Sequence, residues 1–124
     1  MPENKLALCP ATPNCVSSDS PEKSHAVAPL LLTSLGLNCW DRIRETILSL
    51  PRTKIVLDHE DHLQAECRSA WAGFVDDLEL EFRRAEGIVA VRSASRTGYH
   101  DLGVNRRRVE KLRALLQKNG LVES

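Results

Sequence analysis

The chain has 124 residues, with 17 Lys plus Arg balanced by 17 Asp plus Glu, 42% hydrophobic and 27% charged side chains. That length and mix describe one domain of ordinary size with material for a core, and exclude a disulfide-scaffolded miniprotein, a collagen-like chain and a wholly disordered one. No stretch reaches the ~18 apolar residues of a membrane helix, and the first residues lack the apolar run of a secretory signal, so the chain is expected to be soluble, cytoplasmic and without membrane insertion.

Residues 1–37 hold five of the six prolines, interspersed with Asn14, Ser17, Ser18, Asp19 and Ser20. They predict an extended Pro-rich N-terminal arm, leaving residues 38–124 as a single α+β domain. Cys9, Cys15, Cys39 and Cys67 contain no C-x-x-C pair, so no metal site is expected. Cys9 and Cys15, six positions apart around Pro10 and Pro13, pair in an oxidising compartment and stay free in a reducing one. Cys39 and Cys67 read as small buried hydrophobes.

Asn38 is a candidate N-cap, followed by Trp40, Ile43, Ile47 and Leu50 at helical spacing until Pro51 stops the run. Residues 53–57 and 62–69 then read as a strand pair, the second alternating Leu63, Ala65 and Cys67 with Gln64, Glu66 and Arg68. Trp71, Gly73 and Phe74 suggest an apolar turn. Leu78, Leu80 and Phe82, alternating with Asp77, Glu79 and Glu81, mark the clearest strand. A loop at Ala85, Glu86 and Gly87 leads to a fourth strand over residues 88–95, whose buried face the pattern leaves open. Asp101 is a candidate cap for a last helix with Val109, Leu112, Leu115 and Leu116 as its apolar stripe and Gly120 as its stop. The expected fold is a two-layer α+β sandwich of helix, four-stranded antiparallel meander and helix.

The neutral balance conceals segregation: net +1 over residues 1–57, −7 over 58–82 and +6 over 83–124. Two readings are open. Neighbouring strands neutralise one another, or the arginines gather around a pocket for an anion. The densest chemistry is residues 92–108, RSASRTGYHDLGVNRRR. Here a strand end, a glycine turn and a helix start bring Arg92, Arg96 and Arg106 near backbone N–H groups suited to phosphate, sulfate or carboxylate. Alternatively, the same residues pin the loop, with Asp101 capping the helix and taking Arg96, and Asn105 and Ser95 satisfying the backbone.

Other constellations carry less. Asp76, Asp77 and Glu79 have the composition of an acid–base set, but strand carboxylates commonly pair with arginines. His59 and His62 read as part of a surface turn rather than a metal site. Ser93 and Ser95 stand in neither a G-x-S-x-G nor an S-x-x-K context, so no nucleophile is assigned. Arg106, Arg107 and Arg108 form a basic run, yet five aromatics and zero net charge argue against a nucleic-acid partner.

Cys9-Pro10, Pro13 through Ser18, Gly73 through Asp77 with Glu79, and Arg92 through Arg96 with Gly98, Tyr99, residues 101–103, Asn105, Arg106, Arg108 and Glu110 together resemble the domain-of-unknown-function family 1499. The resemblance implies no established reaction. Relatives occur in bacteria and plastids, many with an N-terminal signal, lipoprotein or membrane segment, which is not expected from the first residues here. It also implies that arm, acidic strand and arginine loop converge, with Arg92, Arg96 and Arg106 meeting Asp76, Asp77 and Glu79 in a partly buried ionic cluster. The expected function is binding of a small anion or carboxylate by Arg92, Ser93, Ser95, Arg96, Tyr99, Asp101, Asn105 and Arg106, without a cofactor. Two alternatives stand beside it: an enzyme using Asp76, Asp77 or Glu79, and a structural module for a protein partner.

Overall fold

Period-two alternation in the middle of the chain generates strands, and two amphipathic stretches generate helices. The computed structural model describes residues 6–70 and 73–124, so Trp71 of the expected apolar turn lies outside the described residues. In chain order the elements are β1 (Cys15–Ser17), β2 (Leu30–Leu31), α1 (Ser34–Asn38), α2 (Trp40–Leu48), β3 (Thr53–His59), β4 (His62–Arg68), β5 (Val75–Arg83), β6 (Ile88–Ser95) and α3 (Val104–Lys118).

β3 to β6 form an antiparallel meander, and the chain is α+β. The sheet nevertheless has six strands rather than four. β1 and β2, both from the segment expected to be an extended arm, pair antiparallel with the free edge of β6, at Cys15↔Ala94 and Leu30↔Val89. The edge is thereby covered, which removes a row of unpaired backbone groups from solvent. These strands have too few residues to show a period, so the sequence pattern does not announce them. Between them the chain is fastened by side chains of α3: Arg106 donates to the carbonyls of Ala26 and Ser24, and Arg113 to those of Ala28 and Pro29.

The helix starts also differ from expectation. Thr33 accepts from the Gly36 N–H at 3.0 Å and caps α1, a helix too short for a periodic signal. Asn38 therefore ends α1, donating to the Ser34 carbonyl, and the cap position of α2 falls to Cys39, without a side-chain bond. At α3 the N-cap position is Gly103, while Asp101 serves the first turn from two residues further back.

The core lies between one sheet face and the helices. Leu63, Ala65, Leu78, Leu80, Val89 and Val91 from the strands meet Ile43 and Ile47 of α2 and Val109, Leu112 and Leu116 of α3. Cys67 joins this core, whereas Cys39 is half-buried against it. Strand alternation sends the intervening residues of β4 to β6, charged in the main, to the opposite face.

After α3 the chain folds back on the start of α1: the Thr33 N–H donates to the Leu121 carbonyl and the Glu123 N–H to Leu31. This needs a residue without a side chain at Gly36, where a Cβ would stand 2.0 Å from the Leu121 oxygen. Gly36→Ala should therefore cost about 1–3 kcal/mol, the usual range for overpacking. Thermal unfolding checks this, and an unchanged midpoint would mean that the 121–123 segment yields without loss.

Candidate functional site

The centre of the polar chemistry is Asn105, one residue into α3 and fully buried. Its side-chain amide nitrogen lies 3.1 Å from the Asn14 carbonyl, 2.9 Å from Ser95 Oγ and 2.9 Å from Asp101 Oδ2. Its Oδ1 accepts from Ser93 Oγ at 2.7 Å and Arg108 Nη1 at 2.9 Å. One side chain thus joins the segment before β1, strand β6, the β6–α3 loop and α3. Asn14 extends the tie, donating to the Gly98 carbonyl at 2.7 Å, while the Ser95 N–H donates to the Asn14 carbonyl. Arg108 continues it to the sheet through Asp76, at 2.8 Å.

Asp101 occupies the anion position at the start of α3. Its two oxygens accept the backbone N–H groups of Gly103 and Asn105. Burial pushes its pKa up, but the opposing hydrogen bonds from Asn105 and Gly103 outweigh this and hold it below the ordinary carboxylate range. A helix start that already holds a carboxylate offers less to a second anion.

On the opposite sheet face the expected charge neutralisation takes a definite form. Arg96 forks onto Asp77 with Nε and Nη2, at 2.9 and 2.8 Å, and reaches Glu66 at 2.7 Å. Glu79 lies 3.4 Å from Arg92, its direct cross-strand partner, and 3.3 Å from His62. Arg83 holds Asp19 and Glu81, and these hydrogen bonds raise its affinity for its proton despite burial. The acidic middle of the chain is neutralised mainly by arginines of the basic last third.

The structure therefore divides the predicted set. Ser93, Ser95, Asp101 and Asn105 come together on the helix side. Asp76 joins them through Arg108, while Asp77 and Glu79 stand on the other face with Arg96 and Arg92. Arg106 meets carbonyls of the arm rather than carboxylates. Tyr99 is exposed and packs edge-on against His100. Cys9 and Cys15 are joined by a disulfide that closes a small loop before β1. Among the described residues, no group of three or more His, Cys, Asp or Glu is arranged to hold a metal ion.

A separate feature was not assigned from the sequence. A cleft of about 380 Å3 opens between the first turns of α3 and the β3–β4 ends, lined by Leu50, Pro51, Arg52, Thr53, Cys67, Arg68, Val104, Arg107, Arg108 and Lys111. Five of these are cations and none is acidic. Arg108 is engaged by Asp76, and Arg107 donates to the Leu102 carbonyl. Arg52 uses Nε on the Arg68 carbonyl, Arg68 Nη2 lies 3.9 Å from Glu66, and Lys111 has no partner among the described residues. Burial pushes the pKa of the Cys67 thiol in the cleft lining up, favouring its neutral form. The helical part of this lining was legible as spacing, since positions 104, 107, 108 and 111 share one helix face. Arg52 and Arg68 were not, because only the β3–β4 register brings them together: the Arg68 N–H donates to the Arg52 carbonyl.

Residues 5–116 match the model of a family described as a protein of unknown function, DUF1499. No curated protein matches the chain.

Asn105→Ala removes both halves of the hub and leaves the Asn14 carbonyl and Ser93 hydroxyl short of partners. The expected loss is about 2–3 kcal/mol, measured by denaturant unfolding. Asp101→Asn should cost about 1 kcal/mol at neutral pH, as for a lost helix cap. Because the folded Asp101 binds its proton less readily than the unfolded one, its contribution is complete above pH about 4 and disappears as pH falls through the lower folded value. The variant should accordingly lose less stability on acidification than the wild type, a comparison made by thermal melts across acidic pH.

Proposed function

The chain belongs to the DUF1499 family, whose function is unknown, and we propose that it is a binding protein for a small anion, a phosphate, sulfate or carboxylate. The site we assign is the cationic cleft between α3 and the β3–β4 ends. The observation that carries this reading is that Arg52, Arg68, Arg107, Arg108 and Lys111 line one cleft with no carboxylate among them. Guanidinium groups suit such ligands because their planar N–H pairs match two oxygens at once.

The rest of the arginine-rich loop supports this placement by elimination. Arg92 and Arg96 are engaged by strand carboxylates, Arg106 by arm carbonyls, and the α3 amides by Asp101. Anion binding in the loop itself would require breaking those contacts. Arg108, tied to Asp76, Ser93 and Asn105, supplies a held cation at the inner side of the cleft. Arg107 and Lys111 stand one helical turn apart on its outer side. The enzyme alternative has weaker support: Asp76 is on the opposite face from Asp77 and Glu79, and each carboxylate already meets an arginine.

The test is thermal unfolding in the presence of inorganic phosphate, sulfate and small carboxylates. An anion at 100 times its dissociation constant adds about 2.7 kcal/mol, a shift of several degrees for a domain of this size. The shift should disappear in Arg107→Ala/Lys111→Ala and persist in Arg96→Ala. No shift with any anion, or a shift abolished by Arg96→Ala alone, would overturn the assignment to the cleft.

A further inference from the structure

Resting on the anion-site reading, we infer that the end of the sheet bearing the cleft is a docking surface for a membrane with anionic phospholipid headgroups. Among the described residues the four most exposed large apolar side chains are Leu102, Leu8, Phe74 and Tyr99, at 86, 70, 61 and 60%. They belong to three separate segments: the arm, the β4–β5 connection and the β6–α3 loop.

Long-range contacts bring these segments to one end of the molecule. The Ser69 N–H donates to the Phe74 carbonyl, and the Arg96 N–H to Val75, which sets the β4–β5 connection beside the β6–α3 loop. Asn14 binds the Gly98 carbonyl, and the Cys9–Cys15 disulfide keeps Leu8 near the start of β1. Arg107, in the cleft, donates to the Leu102 carbonyl. Single exposed apolar side chains are ordinary. The convergence of the four most exposed ones beside a cationic cleft calls for an occupant.

Leu102 carries a second signal. Its backbone has φ +56°, in the left-handed region that glycine adopts at less cost than a branched side chain. It sits just before Gly103, itself at φ +79°. The turn, fixed by Asp101 through the Gly103 and Val104 N–H groups, thus holds a bulky apolar residue in a disfavoured conformation and projects it into solvent, and backbone strain of this kind clusters at binding sites.

The chemistry selects a lipid surface over a protein groove. The four apolar groups project from separate segments, which a fluid headgroup layer accommodates one by one. A protein interface instead concentrates apolar contact and depletes charge at its core. Beside these projections, Arg52, Arg107 and Lys111, none of them ion-paired to a carboxylate among the described residues, match phosphate headgroups. The carboxylates at this end already have partners: Asp76 is held by Arg108, Asp77 by Arg96, Glu66 by Arg96 and Arg68, and Asp101 by the backbone N–H groups of Gly103 and Asn105. The contact is interfacial, for no helix among the described residues is long and apolar enough to cross a membrane.

Vesicle co-sedimentation tests this, comparing phosphatidylcholine alone with equal parts phosphatidylcholine and phosphatidylglycerol. The wild type should bind the anionic vesicles at least about tenfold more than the neutral ones. Phe74→Ser/Leu102→Ser, at exposed positions and checked for an unchanged melting midpoint, should lose about tenfold of that binding while keeping its response to free phosphate. Arg107→Glu/Lys111→Glu should lose both. If the wild type responds to free phosphate but ignores anionic vesicles, or binds them equally well as Phe74→Ser/Leu102→Ser, docking is wrong and the anion site stands. Vesicle binding retained in Arg107→Glu/Lys111→Glu, or no response to phosphate, overturns the shared cleft. Capture by an immobilised polyglutamate peptide without vesicle binding also overturns docking, in favour of an acidic protein partner.

Discussion

A buried primary amide holds one end of this protein together. Asn105 is a short side chain with donors on one side and an acceptor on the other, and its surroundings engage both. A buried polar group left without partners costs more than a satisfied one contributes, so each neighbour is constrained by the others. The consequence is geometric. The segment before β1, the end of β6, the loop at residues 96–103 and the first turn of α3 are tied to a common point, although they come from both ends of the chain.

Around that point the sheet separates two kinds of chemistry. One face packs leucines, valines and isoleucines against α2 and α3, and the other carries cross-strand ion pairs such as Glu79 with Arg92. The more exposed pairs, such as Arg96 with Asp77, contribute little individually and weaken with salt. Arg83, Arg92 and Glu79 are largely buried, so their pairing matters more for specifying strand register: an unmatched buried charge would penalise a slipped alignment.

This internal use of arginine frames the functional reading. Arg92, Arg96 and Arg106 bind carboxylates and carbonyls of the chain itself, and in the cleft Arg108 and Arg68 also meet carboxylates, whereas Arg52, Arg107 and Lys111 have no carboxylate partner among the described residues. Arg108 belongs to both systems. It is oriented by Asp76, Ser93 and Asn105 on one side and borders the cleft on the other, so the polar hub also positions part of the proposed site.

Local repetition was enough to identify much of the fold. Alternation located β4 and β5, and helical spacing located α2 and α3, because both periods are properties of consecutive residues; residues 88–95 were read as a strand, but their pattern did not decide which face is buried. Asp101 was legible as a capping residue because its chemistry is satisfied within four residues. The strands of the arm were not legible: they are two and three residues long and exist only because β6 offers them an edge. Nor did consecutive residues reveal that Arg96 takes Asp77 and Glu66, that Arg106 takes the arm, or that Arg52 and Arg68 meet Arg107 at one cleft. Amino-acid order by itself determined which segments fold as strands or helices and how their charge is distributed. Tertiary structure decided which charges are neutralised and by which partners, since pairing depends on strand register and on contacts between residues far apart in the chain.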